Sequence, residues 1–169
     1  MIIESPLIKI RRAGPKDSDA LATVFRECWR NAYAGIIPAL HLNRLIRGRD
    51  DAWWDRAIKR DGEILVLDVG SVVAGYATFG RSRGSRTYHG EIYELYLSPV
   101  YQGLGFGEHL FEACRHNLDN RSLKGLIVWA LADNQRAADF YWQRGGRPVA
   151  EIKEQFGQTK LKKIAFGWP

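Results

Sequence analysis

The chain has 169 residues, 46% of them hydrophobic and 26% charged, with a formal net charge of +6 at pH 7. That length and balance give one domain, residues 1–169, with a sizeable core, and exclude a disordered or fibrous chain. No apolar run approaches the roughly 20 residues that cross a bilayer, MIIESPLIKI lacks the basic and apolar regions of a signal peptide, and the two cysteines, Cys28 and Cys114, are too few for a disulfide framework. The expected setting is cytoplasmic, with no membrane partner.

In chain order, LIKIRRA (7–13) reads as a first strand that Gly14-Pro15 stops. Asp17 or Ser18 then caps a helix whose apolar stripe is Leu21, Val24, Phe25 and Cys28. After a break near Gly35 and Pro38, a second helical stretch carries Leu40, Leu42 and Leu45. DDAWWDRAIK gives a third short helix with Asp50 or Asp51 at its start. Gly62 marks a change to strands: ILVLDV (64–69), a Gly-Ser turn, VVAGYATF (72–79), a polar loop over 81–90, and EIYELYLS (91–98). A helix with Phe106, Leu110, Ala113, Cys114 and Leu118 on one face follows. GLIVWALA (125–132) is a continuous apolar strand, expected to be covered on both faces. Asp133-Asn134 opens another helix that Gly145-Gly146 ends, and strands near 148–155 and 160–168 flank a turn at Gly157-Gln158. The pattern is mixed α/β, without repeats or linkers.

Between the strand at 91–98 and the next helix lies SPVYQGLGFGEHLF (98–111), with glycines at 103, 105 and 107. Glycine is a poor helix former, so three of them at a helix start serve more than connection. A glycine-rich turn entering a helix N-terminus is an anion site. Unpaired N–H groups and the positive end of the helix dipole face it, and the missing side chains let a phosphate approach. A Walker loop would need Gly-Lys-Ser/Thr, which is absent, and a dinucleotide fingerprint would need glycine at 108, where Glu108 stands. The amides from Gln102 to Gly107 are the candidate cradle.

These residues carry a resemblance. Gln102-Gly103-Leu104-Gly105-Phe106-Gly107 resembles the Q/R-x-x-G-x-G/A pyrophosphate loop of the GNAT superfamily of N-acetyltransferases. Its lead-in Leu95-Tyr96-Leu97-Ser98-Pro99 is similar to that family's, and Asn134 to Tyr141 resembles its N-x-x-A-x-x-F-Y helix. The resemblance covers nearly the whole chain. It implies a GNAT-like fold: a central, mostly antiparallel sheet of six to seven strands flanked by four to five helices. It implies acetyl-CoA as co-substrate, with Leu95, Tyr96, Leu97, Gln102, Gly103, Leu104, Gly105, Phe106, Gly107, Asn134, Ala137 and Tyr141 around it. The residue matching Asn134 hydrogen-bonds the cofactor, and the one matching Tyr141 protonates the departing thiolate. A homodimer is allowed, though the sequence gives no interface.

Independently, Asn134, Ala137, Ala138 and Tyr141 share a helical face. An amide, two small residues and a phenol make a poor core stripe but a serviceable wall for a thin pantetheine arm. Tyr141 also reads as an ordinary core aromatic between Phe140 and Trp142. An amine acceptor must lose a proton before it attacks, and a carboxylate is the usual means. Glu91 and Glu94 on strand 91–98 point to opposite faces if the strand is regular. Counted back from the loop, Glu91 matches the family's base position; a bulge would shift the parity and admit Glu94. Either also fits a plain solvated strand residue. A backbone N–H of residues 95–97 is the expected donor to the reacting carbonyl oxygen.

On the acceptor side, Trp29 and Tyr33, four apart, share a face and either line a pocket or pack the helix on the sheet; Tyr93, Trp53 and Trp54 carry the same two readings. The acceptor amine itself is left open. His41, His89, His109 and His116 have no metal-ligand spacing, so no metal is expected. Arg81, Arg83 and Arg86 read as a solvated loop without the aromatic platforms of a nucleic-acid site, so no nucleic acid is expected. Two functional readings remain: an acetyl-CoA-dependent N-acetyltransferase attacking a primary amine directly in a ternary complex, and a catalytically silent domain of the same fold that senses acyl-CoA.

Overall fold

A computed structural model describes residues 7–61 and 63–169, so the opening MIIESP and the Gly62 break lie outside the described residues. Seven strands form one sheet in the order β1-β2-β3-β4-β5-β7-β6. They are β1 (Ile8–Arg12), β2 (Ile64–Val69), β3 (Val72–Arg81), β4 (Gly90–Leu97), β5 (Leu126–Leu131), β6 (Arg147–Phe156) and β7 (Thr159–Trp168). Five helices flank the sheet: α1 (Ser18–Tyr33), α2 (Ala39–Gly48), α3 (Asp51–Asp61), α4 (Phe106–Asn120) and α5 (Gln135–Gln143). All neighbouring strands run antiparallel except β4 and β5. Among the described residues no helix is long and apolar enough to cross a membrane.

Strand alternation sorts the core into two layers. Val66 and Tyr76 join Leu21, Phe25, Cys28 and Trp54 of α1 and α3 on one face. Leu65, Leu67, Ala77 and Ile92 join Leu110, Phe111 and Cys114 of α4 on the other, with Tyr141 of α5. As expected, β5 is covered on both faces, with only Trp129 half-buried.

Local details depart from the sequence reading where tertiary partners compete. Neither Asp17 nor Ser18 caps α1 with its side chain. The Asp17 carboxylate is taken by Arg11 at 2.7 and 2.9 Å and by the Gly14 amide at 2.7 Å. In α2, Leu42 is buried and Leu45 packs against the core as expected, whereas Leu40 is exposed and Ile46 adds a buried position. Asp50, just before α3, accepts from the Trp53 amide at 2.9 Å and caps that helix. In α4, Phe111 is fully buried while Phe106 and Ala113 are only partly so.

Candidate active site

The site begins where β4 and β5 part. Their parallel pairing covers only Gly90–Ile92 against Leu126–Val128. Beyond that, β4 carries a bulge: Glu94 pairs with Thr78 and Ile92 with Phe79, leaving Tyr93 as the extra residue. The Ser98 amide donates to the Ala74 carbonyl at 2.8 Å. That phase turns the N–H of Tyr96 toward β3 and those of Leu95 and Leu97 toward the opening.

A cleft of about 470 Å³ occupies the opening. Leu95, Tyr96 and Leu97 line one side, Gln102 and Gly107 the loop end, and Asn134, Ala137 and Tyr141 the α5 side. Ala138 faces the core instead, so the helical face is narrower than its sequence spacing suggests. Gly105 is the N-cap of α4 with φ of +86°, a left-handed conformation that excludes most side chains. A Cβ on Gly103 or Gly105 would meet nothing within 4 Å, so the loop faces open space. The Gln102 side chain donates to the Leu97 carbonyl at 2.9 Å and ties the loop to β4. Leu104 is exposed at the tip, and Phe106 stacks against Tyr101 with centroids 6.5 Å apart. The Gln102 N–H, expected in the cradle, is taken by the Pro99 carbonyl at 3.2 Å. The amides that follow it, from Gly103 to Gly107, with their missing side chains at a helix start, fit a pyrophosphate.

On α5, Asn134 accepts from the Ala137 amide at 3.3 Å and caps the helix. Tyr141 is buried among Phe111, Phe140, Phe166 and Trp168, and its hydroxyl has no hydrogen-bond partner among the described residues. Burial pushes this phenol well above its ordinary value, so it stays protonated. Cys28 also lines the cleft, and burial raises its thiol to about 12.

A smaller cavity, of about 210 Å³, lies beside Trp29, Tyr33, Tyr93 and Glu94. Tyr96 borders both this cavity and the cleft. The hydroxyls of Tyr33 and Tyr96 share a short hydrogen bond, and Trp29 packs on Tyr33 at 4.8 Å and Phe25 at 4.9 Å. Trp29 and Tyr33 therefore do both things their spacing allowed: they pack α1 and they wall a cavity.

The two carboxylates have different surroundings. Because Ile92 packs in the same layer as Leu95 and Leu97, the bulge offsets the alternation, and the opposite-faces expectation fails. Glu91 is only 3% exposed, borders neither the cleft nor the small cavity, and is bound by the Arg83 amide at 3.1 Å and guanidinium at 3.0 Å. Glu94 lines the small cavity and accepts from Arg49 at 2.8 and 2.9 Å and from the Tyr76 hydroxyl at 2.9 Å. Neither is a plain solvated strand residue. Arg83 is exposed, as a solvated loop residue would be, yet it also stacks over Tyr93 at 4.1 Å and binds Glu91.

Arg49 and Tyr76 were not legible as site residues. The Arg49 guanidinium lies 4.3 Å from the Trp53 ring, 4.7 Å from Phe25 and 5.7 Å from Trp54. The one available signal was an arginine placed between two helices just before a tryptophan pair.

The profile of the Acetyltransferase (GNAT) family matches residues 20–146. An uncharacterised N-acetyltransferase of Bacillus subtilis, YuaI, is 30% identical over 165 residues, which is 96% of this chain and 94% of that protein. The fold is similar to the crystal structure of PaiA N-acetyltransferase from Thermoplasma acidophilum in complex with coenzyme A, with a TM-score of 0.73 at 20% identity, covering 92% of this chain and 97% of that one. It is also similar to YncA from Salmonella typhimurium with acetyl-CoA, with a TM-score of 0.69 at 20% identity, covering 96% of this chain and 93% of that one.

Proposed function

The chain belongs to the GNAT family of acetyltransferases, and we propose that it moves an acetyl group from acetyl-CoA to a primary amine by direct attack, residues 1–169 acting as one catalytic domain. The observation that carries this reading is Tyr96, which borders both the cleft behind the Gln102–Gly107 loop and the cavity of Glu94. A thioester held in the first and an amine held in the second meet at that residue, which supplies the proximity on which such a transfer depends.

Acetyl-CoA supplies an activated acyl group, and the chain does the rest. The loop amides at the start of α4 hold the pyrophosphate. Glu94, fixed by Arg49 and Tyr76, takes the proton that the ammonium must lose, directly or through a water. The Leu95 N–H, turned into the cleft, donates to the carbonyl oxygen as charge builds there. The nitrogen–carbon bond forms, the carbon–sulfur bond breaks, and the second proton, shed by the nitrogen once it is acylated, is the one that ends on the thiolate. Tyr141 offers its hydroxyl to that sulfur. A phenol raised above about 10 faces a thiol near 8.5, so its hydrogen bond to the thiolate is favoured over complete proton transfer.

Titration calorimetry with acetyl-CoA, followed by thiol release against an amine panel, tests the reading. Micromolar binding with thiol release is expected. Binding without release from any amine would favour a silent acyl-CoA sensor, and absence of binding would remove the role given to the loop.

A further inference from the structure

A third cavity, of about 530 Å³, opens beside α3 and shares Arg83, Tyr93 and Glu94 with the small cavity. Acetyl transfer by itself does not require it. Two carboxylates stand on its wall, and each is already matched by an arginine from outside the lining. Arg49 binds Glu94 at 2.8 Å, and Arg121 binds Glu63 at 2.7 Å. Apart from the second Glu63 oxygen, the lining side-chain atoms without a partner among the described residues are donors. Arg81 makes no ion pair. Arg83 uses its amide and Nη2 on Glu91, which leaves Nε and Nη1. Trp54 is fully buried, lines the cavity, and its Nε1 has no acceptor.

The Arg83 placement is built rather than accidental. Glu91 is buried and has no access to either acceptor-side cavity, yet it binds both the backbone and the guanidinium of Arg83. Tyr93, the bulged residue, lies under that guanidinium at 4.1 Å and donates its hydroxyl to the Arg81 carbonyl. The bulge that brings Glu94 to the cavity therefore also holds the Arg83 guanidinium and the Arg81 backbone. A wall with two guanidinium groups and unused N–H donors, sharing its cavity with the Glu94 carboxylate, is complementary to a molecule with an ammonium at one end and an anion at the other.

We propose that the acceptor is an amine carrying a carboxylate or a phosphate, its ammonium at Glu94 and its anion at Arg81 and Arg83. Glu91 acts as a positioning residue for Arg83. The proposal rests on the reading of the Glu94 cavity as the acceptor site.

The test compares thiol release, at saturating acetyl-CoA, from 5-aminopentanoate, its amide, pentylamine and 3-aminopropyl phosphate. These amines differ mainly in the distal group. The carboxylate or the phosphate probe is expected to exceed the two uncharged-tail probes by about tenfold or more in kcat/KM, the scale of one charge-assisted hydrogen bond, and the larger of the two identifies the anion. R83M and R81A should reduce that ratio toward one, with R83K retaining part of it and guarding against a misfolded R83M. Equal rates for charged and uncharged tails, or a ratio that survives both variants, overturns the proposal. So does failure of every probe to react or to bind the coenzyme A-loaded protein at millimolar concentration. E94Q separates the two readings: turnover in E94Q with the tail preference intact overturns the base and keeps the subsite, whereas loss of turnover in E94Q with no preference in the unmutated protein does the reverse.

Discussion

Arg49 and Glu94 lie 45 positions apart in sequence, yet a single Arg49 nitrogen stands 2.8 and 2.9 Å from the two carboxylate oxygens. The guanidinium carbon lies over the Trp53 ring, 4.3 Å from its centroid. An ion pair alone can swing; a guanidinium stacked on aromatic rings cannot do so freely, so the carboxylate inherits a fixed direction. R49M should therefore act on both stability and turnover. With the two side chains 26% and 13% exposed, the loss should be roughly 2–3 kcal/mol, below that of a fully buried pair broken on one side. Thiol release should fall at least about tenfold, and R49K, which keeps the charge but not the stack, should lie between. E94Q, which removes the base itself, should reduce kcat by about a hundredfold or more. Urea unfolding and thiol-release kinetics check both, and an R49M enzyme of full activity would remove the orienting role.

Tyr141 makes the opposite kind of prediction, because its hydroxyl has no partner among the described residues to lose. Y141F should change stability by no more than about 0.5 kcal/mol and leave acetyl-CoA affinity nearly intact. Turnover should fall by about one to two orders of magnitude if the hydroxyl serves the departing sulfur. Since burial raises this phenol, the protonated donor form persists as pH rises past its ordinary value near 10. No loss of rate between neutral pH and about pH 9 should then trace to Tyr141. An alkaline fall near 9 that disappears in Y141F would contradict that sign.

The glycine loop can be separated from backbone strain by a matched pair. Gly105 and Gly70 both hold positive φ, +86° and +63°, and a Cβ on either would meet nothing within 4 Å. G105A and G70A should each cost about 1–2 kcal/mol, the strain of the left-handed region. Only G105A places a methyl group in the space assigned to the pyrophosphate, so only G105A should weaken acetyl-CoA binding, by about tenfold or more. Calorimetry on both variants decides it, and equal affinities would move the phosphate elsewhere.

The legible and illegible parts of the site differ in how far apart their residues lie in the chain. The loop from Gln102 to Gly107 and the helix from Asn134 to Tyr141 are each contiguous, so each could be read by itself, and the family resemblance they carry implied that both meet one cofactor. The element order was legible for the same reason, since each strand and helix carries its own period. The choice between Glu91 and Glu94 turned on a bulge at Tyr93, and that bulge depends on how β3 meets β4, which no local pattern in EIYELYLS encodes. Arg49 was hidden for a stronger reason. In RGRDDAWW it reads as one more charge between helices, and its meaning comes from Glu94 and Phe25, which only the folded chain brings to it.

Asp17 gives a stability prediction remote from the cleft. Hydrogen bonds from Arg11 hold its carboxyl below the ordinary value of 3.8, against the opposing effect of burial. A group whose pKa is depressed by folding adds stability above its unfolded value and loses it as pH falls through the folded one, because the unfolded chain takes up the proton first. D17N should thus cost roughly 1 kcal/mol at neutral pH, a low figure because Arg11 is 30% exposed and partly screened. The gap should begin to close near about pH 4, where the unfolded aspartate takes up its proton, and be gone below the lower folded value, where Asp17 of the unmutated protein is also neutral. Urea midpoints of both proteins at neutral and acid pH, with activity unchanged at neutral pH, are the expected result. A gap that stays constant across the acid range would mean that Asp17 contributes through packing and its contact with the Gly14 amide rather than through its charge.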